Sequence, residues 1–229
     1  MTDFNFSKFV EELSSDFIPV VSSKFSKEQY IPIDLSESNV SLDTFDVSSS
    51  KAFEAYVVDY LNKNNAKVAY GGYHEPRGIY RRSKHFNDGD IAEERNIHLG
   101  LDLWCDAGTE ILSPLDGEIH SFKNNNNYGD YGPTIILKHH IRGVEFYTLY
   151  GHLSTASISG LNMGDVVKAG DVIAILGDAS VNGDYAPHLH FQIIKDLEGN
   201  VGDYPGVSSR EELNKYKYNC PNPNLLLNI

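Results

Sequence analysis

The feature that most constrains this sequence is His188-Leu189-His190, which lies in a run of alternating polar and apolar residues. In an extended strand, successive side chains point to opposite faces of the sheet. His188, His190 and Gln192 therefore share one face, while the residues between them, all apolar, share the other. The pattern predicts a strand with one chemically active face and one face that belongs to the core.

Two other segments show the same alternation. The period of two places His98 and Asp102 on one face of a strand, with Gly100 between them, and we expect this glycine to leave room for an ion. Further along the chain, Tyr150 and His152 are predicted to share one face of a third strand. The three strands would thus each present imidazole or carboxylate groups on a single face.

These residue types are the ligands of a catalytic zinc site. Zinc binds imidazole nitrogen and carboxylate oxygen, and a catalytic site uses three protein ligands and leaves the fourth position to water. Two histidines and one aspartate leave a formal charge of about +1, which lowers the pKa of bound water toward about 7 and polarises a carbonyl. Further histidines can take up the proton and stabilise the oxyanion. The motifs predict a mononuclear zinc hydrolase.

The three segments, in this order, resemble those of the lysostaphin-type (LytM-like) zinc metallopeptidases, which mostly cut peptidoglycan peptides. The resemblance covers about residues 95–196 and includes Tyr150-Gly-His-Leu153 and Pro187-His-Leu-His-Phe191. It implies one zinc ion per chain and peptide or muropeptide substrates. The implied zinc ligands are His98, Asp102 and His190, and the implied catalytic residues are His152 and His188.

The texture of the chain predicts a mainly β fold. From about Lys67 onward, short alternating segments are separated by Gly, Asn and Asp, which is typical of antiparallel sheets. The resemblance implies an antiparallel split barrel or β-sandwich. We expect residues 71–229 to form this peptidase domain, with a carboxy-terminal wrap, and residues 1–70 to be a partly helical extension packed on it.

Three helices are predicted. A short one spans residues 7–13, and another follows the serines at 48–50, whose hydroxyls suit an N-cap, and ends at Asn64-Asn65. The last is expected over residues 209–216 among the prolines of the carboxy end. The two cysteines, Cys105 and Cys220, are far apart and are predicted to be reduced thiols, although a bridge between them stays open.

A basic segment over residues 71–85 has a local charge of +3, from four basic residues and one glutamate, in a chain of net charge −13. Guanidinium groups bind carboxylates and phosphates in a bidentate manner. The segment is therefore predicted to bind substrate, and the alternative is a solvated loop that pairs with the acidic body. The predicted substrate contacts are Arg77, Arg81, Arg82 and Tyr150, and the histidines predicted to lie at the surface are His74, His85, His120, His139 and His140.

Charge and hydropathy limit the partners. A net charge of −13 disfavours nucleic acids and anionic membranes, and no apolar run approaches the ~18 residues that span a bilayer. The amino terminus lacks the apolar segment of a signal peptide, which predicts a cytoplasmic protein. An intact peptidoglycan substrate would instead require an extracytoplasmic location. No obligate protein partner is indicated.

Three functions are compatible with these observations. The first is a zinc metalloendopeptidase acting on peptidoglycan-derived peptides. The second is a cytoplasmic zinc amidohydrolase or peptidase that cuts a small anionic peptide or conjugate anchored by the basic segment. The third is a non-catalytic binding or carrier module, because Asp116-Gly-Glu-Ile119 and residues 166–173 resemble the hairpins of biotinyl and lipoyl domains.

Overall fold

The computed structural model describes residues 4–82 and 94–229. In chain order, its strands are β1 (Tyr30–Pro32), β2 (Val68–Gly71), β3 (Ile97–His98), β4 (Leu101–Trp104), β5 (Glu110–Leu112), β6 (Gly117–Asn125), β7 (Gly132–Ile141), β8 (Val144–Gly151), β9 (Val166–Val167), β10 (Val172–Ile175), β11 (His188–Ile194) and β12 (Val207–Ser208). The α-helices are α1 (Phe6–Glu11), α2 (Ser50–Lys63), α3 (Leu213–Asn219) and α4 (Asn224–Leu227), and 3₁₀ helices lie at Lys27–Gln29, Val40–Thr44, Gly78–Arg82 and Thr155–Ile158.

One large sheet organises the described residues. Its strand order is β1-β2-β4-β11-β8-β7-β6-β9, and two small sheets pair β10 with β5 and β12 with β3. Only the β1–β2 pair at one edge of the large sheet is parallel. The mainly β prediction is confirmed, and β11 is flanked by β4 and β8 in the middle of the sheet.

The two faces of this sheet have different roles. Leu103, Leu189 and Phe191 point to one face and belong to the largest apolar cluster, where they are fully buried. Because side chains alternate, their neighbours on β4 and β11 point to the other face. That face carries the polar residues of the predicted site, together with two smaller apolar clusters that pack around them.

Helix α2 packs beside the polar residues. The Ser49 hydroxyl caps it by accepting a hydrogen bond of 3.3 Å from the amide of Ala52. Phe53, Val57 and Leu61, each four residues apart, are buried in a cluster that includes Trp104 of β4. The helix predicted after residues 48–50 is confirmed, and its apolar stripe covers the sheet next to the site.

The other two helix predictions are less accurate. Helix α1 begins one residue early and ends at Glu11, two residues early. Helix α3 begins at Leu213, four residues later than predicted, and ends at Asn219, three residues later. Both Cys105 and Cys220 are buried free thiols. Among the described helices, none combines the length and apolar character that a membrane crossing requires.

Candidate active site

The register of the central strands brings the predicted ligands together. Asp102 of β4 lies directly opposite His190 of β11 in the antiparallel pair, and directly opposite residues share a face. His98 reaches the same place from β3, which pairs with β12. The single strand predicted over residues 98–102 is in fact two, because β3 ends at His98 and β4 begins at Leu101.

Three side-chain atoms converge at this point. The Nε2 atom of His98 lies 2.8 Å from Nδ1 of His190, and both nitrogens lie 3.2 Å from Oδ1 of Asp102. All three residues are at most 2% exposed. The three atoms form a nearly equilateral triangle inside the protein.

The hydrogen bonds around the triangle fix which nitrogens carry protons. Nδ1 of His98 lies 2.9 Å from the carbonyl oxygen of Gly72, and Nε2 of His190 lies 2.9 Å from Oε1 of Gln192. Both nitrogens therefore donate, because carbonyl and amide oxygens only accept. The Gln192 amide is oriented by its own donation to the carbonyl of Pro205. The two nitrogens that face each other, Nε2 of His98 and Nδ1 of His190, are therefore acceptors when the imidazoles are neutral.

Three acceptors within 3.2 Å of one another repel unless a cation lies among them. A four-coordinate zinc ion with bonds of about 2.0–2.1 Å holds neighbouring ligand atoms about 3.3 Å apart, close to the spacings of this triangle. Of the described residues, His98, Asp102 and His190 form the group of His, Cys, Asp and Glu side chains able to hold a metal ion. The ligand chemistry and the spacing both fit zinc.

Gly100 makes room for a ligand rather than for the ion. A Cβ added to this glycine would lie 2.6 Å from Cε1 and Nε2 of His190 and 2.8 Å from the carbonyl oxygen of Phe191. The space predicted for an ion is therefore filled by the His190 ring. Because Gly100 has no side chain, the His190 ring can pack against the backbone between β3 and β4.

Two more histidines face the triangle. His188 Nε2 lies 3.8 Å from Oδ2 of Asp102, and the rings of His152 and His188 are 4.2 Å apart between centroids. Their Nδ1 atoms donate to the carbonyls of Asn182 and Ala186, each at 2.8 Å, which leaves Nε2 of both rings as an acceptor. Burial lowers the pKa of His188 to about 4 and holds that of His152 well below its usual value. Both rings are neutral acceptors near neutral pH.

His152 reaches the site through a break in the strand. Tyr150 pairs with Phe191, lies on the core face of β8 and is fully buried there. Simple alternation would place His152 on that same core face. Instead, β8 ends at Gly151, and the backbone of His152 is left-handed with φ of 63°, which turns its ring to the opposite side. The shared face predicted for Tyr150 and His152 is wrong.

This placement also corrects the substrate contact predicted for Tyr150. Its hydroxyl accepts a hydrogen bond of 3.0 Å from Thr148 Oγ1 inside the core, and its ring packs on Phe191. The side chain is 0% exposed and is not among the residues that line the site cavity. Tyr150 therefore packs in the core, on the face of the sheet opposite the site, and cannot contact a substrate.

Arg77 is placed very differently from a substrate anchor. It is 4% exposed, its Nη1 binds Oδ2 of Asp102, and its Nε donates to Oε2 of Glu75 at 2.6 Å. Two carboxylates of the chain itself thus bind Nε and Nη1 of the guanidinium. The substrate role predicted for Arg77 is wrong, because this side chain instead holds the carboxylate that faces the two histidines. The side chains of Arg81 and Arg82 lie outside the described residues.

The remaining histidines lie outside the site. His139 was predicted at the surface but is 0% exposed, because it is hydrogen bonded inside the sheet to the carbonyl of Asp116 and to Thr148. His140 is exposed as predicted, whereas His74 and His120 are half-buried. His85 lies outside the described residues.

Two supporting residues carry no obvious sequence signal for a site. Gly72 has φ of +100° and presents its carbonyl to His98, and an added Cβ would collide with Nη2 of Arg77. Tyr131 donates to the carbonyl of Tyr204 and places its hydroxyl 3.4 Å from Nε2 of His190. The left-handed glycine is visible only as one glycine among 19 in the sequence.

The site opens into a cavity of about 400 Å³. Its lining includes the three ligand residues, both further histidines and Arg77. Several residues between positions 35 and 53, which precede β2 in the chain, also line the cavity. The chemistry of the cavity is therefore set by two widely separated parts of the sequence.

Comparison with known proteins agrees with this geometry. The profile of peptidase family M23 matches residues 96–202, a span that includes all five His and Asp residues of the site. Residues 96–202 are therefore similar to the peptidases of family M23. A protein of Buchnera aphidicola (subsp. Baizongia pistaciae) named "Uncharacterized metalloprotease" is 32% identical over 117 residues, which are 50% of this chain and 28% of the relative. The chain thus matches about a quarter of that relative's length.

Two solved structures are also similar to this chain. The catalytic domain of lysostaphin from Staphylococcus simulans is 28% identical with a TM-score of 0.41, and the match covers 67% of this chain and 94% of that domain. The catalytic domain of the prophage-encoded M23 protein EnpA from Enterococcus faecalis is 23% identical with a TM-score of 0.40, covering 59% and 85% of the two chains. The span matched to the M23 family begins at residue 96. It therefore excludes Gly72, Arg77 and the cavity-lining residues between positions 35 and 53.

Proposed function

We propose that this chain is a zinc-dependent metalloendopeptidase that hydrolyses amide bonds in peptides derived from peptidoglycan. The observation that carries the proposal is the triangle of acceptor atoms from His98, Asp102 and His190, with edges of 2.8–3.2 Å. Its spacing and ligand chemistry suit zinc, and the M23 domain supports peptide bonds as the substrate class.

A zinc ion held by His98, Asp102 and His190 would supply Lewis-acid chemistry, which activates water and polarises a carbonyl. The residues of the chain then move the proton. Nε2 of His152 or His188, neutral and unprotonated, accepts a proton as the water oxygen attacks the amide carbon. The proton passes to the amide nitrogen as the C–N bond breaks, so that a carboxylic acid and an amine leave. An imidazole that has taken up the proton also stabilises the negative charge on the former carbonyl oxygen.

The second function, hydrolysis of a small anionic peptide or conjugate, depends on the basic segment as an anchor for the anion. Of its three predicted arginines, Arg77 is bound to Asp102 and Glu75, and the side chains of Arg81 and Arg82 lie outside the described residues. The other charged side chains described around the cavity are mostly acidic. They are Glu37, Asp43, Asp130 and Asp203, against Arg95.

The test is to identify cleaved bonds by mass spectrometry after incubation with three substrates: soluble muropeptides, intact sacculi and a mixed peptide set. The zinc-loaded protein should cut amide bonds, the chelated protein should not, and readdition of zinc should restore cleavage. The His188→Ala variant, which leaves the three ligands in place, serves as the inactive control. Cleavage that persists in the chelated protein would overturn the proposal.

A further inference from the structure

The cavity continues from the catalytic histidines onto an apolar surface. Five of its lining residues form this surface, which we name the apolar wall: Leu42, Val47, Phe53, Ile79 and Trp104. Four of the five precede the span matched to the M23 family. The wall is therefore a property of this chain rather than of the matched domain.

Ring contacts connect the wall directly to the site. The Trp104 ring stacks on that of His188, with centroids 3.9 Å apart and an interplanar angle of 19°. The Phe53 ring also packs on the Trp104 ring, with centroids 5.1 Å apart. A group bound against the apolar wall would consequently lie near His188, one of the two histidines proposed to accept the proton.

The wall has apolar surface left to cover. Leu42, Val47 and Ile79 are half-buried, whereas Phe53 and Trp104 are almost fully buried. Burying a leucine-sized side chain stabilises a complex by about 1.5–3 kcal/mol. Ligand cavities of this kind combine mostly apolar lining with a few polar groups that fix orientation.

We propose that the apolar wall binds an apolar side chain of the peptide substrate, next to the amide bond that is cut. This inference rests on the proposed function and narrows its substrates. A glycine at that position would leave the wall uncovered, and an acidic side chain would meet both the apolar surface and the carboxylates around the cavity.

The protein contains its own probe, because Trp104 is the one tryptophan in the 229-residue sequence. The experiment adds pentaglycine, and pentaglycines with leucine at one position at a time, to the zinc-loaded protein in a stopped-flow instrument. The first change in tryptophan fluorescence reports binding before turnover. At one leucine position, we expect binding about tenfold tighter than that of pentaglycine.

Matched variants test whether the wall is responsible. Leu42→Ala should remove most of the preference for leucine, about tenfold. Val40→Ala is the control, since Val40 lies in the same 3₁₀ helix but is 76% exposed and does not line the cavity. Val47→Ala provides a second wall variant, with thermal unfolding to show that each protein is folded. Equal binding of all peptides, or equal effects of Leu42→Ala and Val40→Ala, would overturn the inference.

Mass spectrometry of the same mixtures separates this inference from the proposed function. Leucine-dependent binding without cleavage keeps the apolar wall and overturns peptidase activity on these peptides. Cleavage of pentaglycine that is indifferent to leucine and to Leu42→Ala keeps the activity and overturns the wall as a specificity determinant.

Discussion

The guanidinium of Arg77 binds Oδ2 of Asp102, so that the other oxygen, Oδ1, is the one that faces His98 and His190. Burial alone would raise the pKa of the Asp102 carboxyl. The opposing effects of its neighbours, chiefly His98 and Arg77, are together larger, and the pKa is held well below its usual value. Arg77 is in turn held by Glu75, which also accepts a hydrogen bond from the amide of Leu35. The segment that precedes the residues matched to family M23 thus orients Asp102, which lies within them.

Replacing Arg77 by lysine should weaken zinc binding. Lysine keeps the charge but loses the planar fork that contacts Asp102 and Glu75 together. Loss of such an outer contact typically costs about 10–100-fold in metal affinity. Competition with a chromophoric chelator measures the change, and Arg210→Lys, at an exposed position, is the control. Unchanged affinity in Arg77→Lys would show that Asp102 needs no such support.

Single changes at His152 and His188 should separate catalysis from metal binding. Either alanine variant should keep its zinc, because neither imidazole belongs to the triangle of acceptor atoms. Turnover should fall by about 10²-fold or more, the usual contribution of a general acid or base. Metal analysis alongside kinetics decides the matter, and loss of zinc from either variant would mean that the ligand and proton-transfer roles are exchanged.

Gly100→Ala should displace the His190 ring. The new methyl group would lie 2.6 Å from two ring atoms, closer than van der Waals contact allows. We expect a loss of zinc affinity of at least about tenfold, measured as for Arg77→Lys. Gly78→Ala is the matched control, since a Cβ there meets nothing within 4 Å. Equal zinc affinity in the two variants would contradict the tight packing described for His190.

His139 should make stability depend on pH. Burial lowers its pKa from 6.5 to about 4, so the unfolded chain takes up a proton between these values while the folded chain does not. Stability should therefore fall as the pH drops from about 6.5 to 4, by up to about 3 kcal/mol from this residue. Urea unfolding at pH 4.5, 5.5 and 7.5 should show a smaller pH dependence in His139→Gln than in wild type. The exposed neighbour control, His140→Gln, should keep the wild-type slope.

The sequence predicts those parts of the site that follow from regular strand geometry. His188 and His190 share a face because β11 is an uninterrupted strand, and the register with β4 adds Asp102. His152 does not follow the same rule, since its left-handed backbone reverses the side that alternation would give. Alternation can be read from one sequence, whereas the end of a strand depends on the tertiary structure.

Contacts between residues far apart in the chain cannot be predicted from local sequence patterns, for a similar reason. When only the local charge is known, an arginine such as Arg77 is predicted to lie at the surface and to bind an anionic group. Its burial against Asp102 depends on how the chain before β3 folds over the sheet, and on the left-handed Gly72 that lets it pass. The surface position predicted for His139 is wrong, because neither the types nor the charges of the neighbouring residues show which face of β7 is buried in the protein.

The central claim is that His98, Asp102 and His190 hold one zinc ion, and elemental analysis of the purified protein tests it most directly. The account predicts close to one equivalent of zinc in the wild type, or after zinc is added back to the chelated protein, and far less than one in Asp102→Ala and His190→Ala. Wild-type protein that takes up no zinc after readdition, or alanine variants that retain a full equivalent, would contradict it.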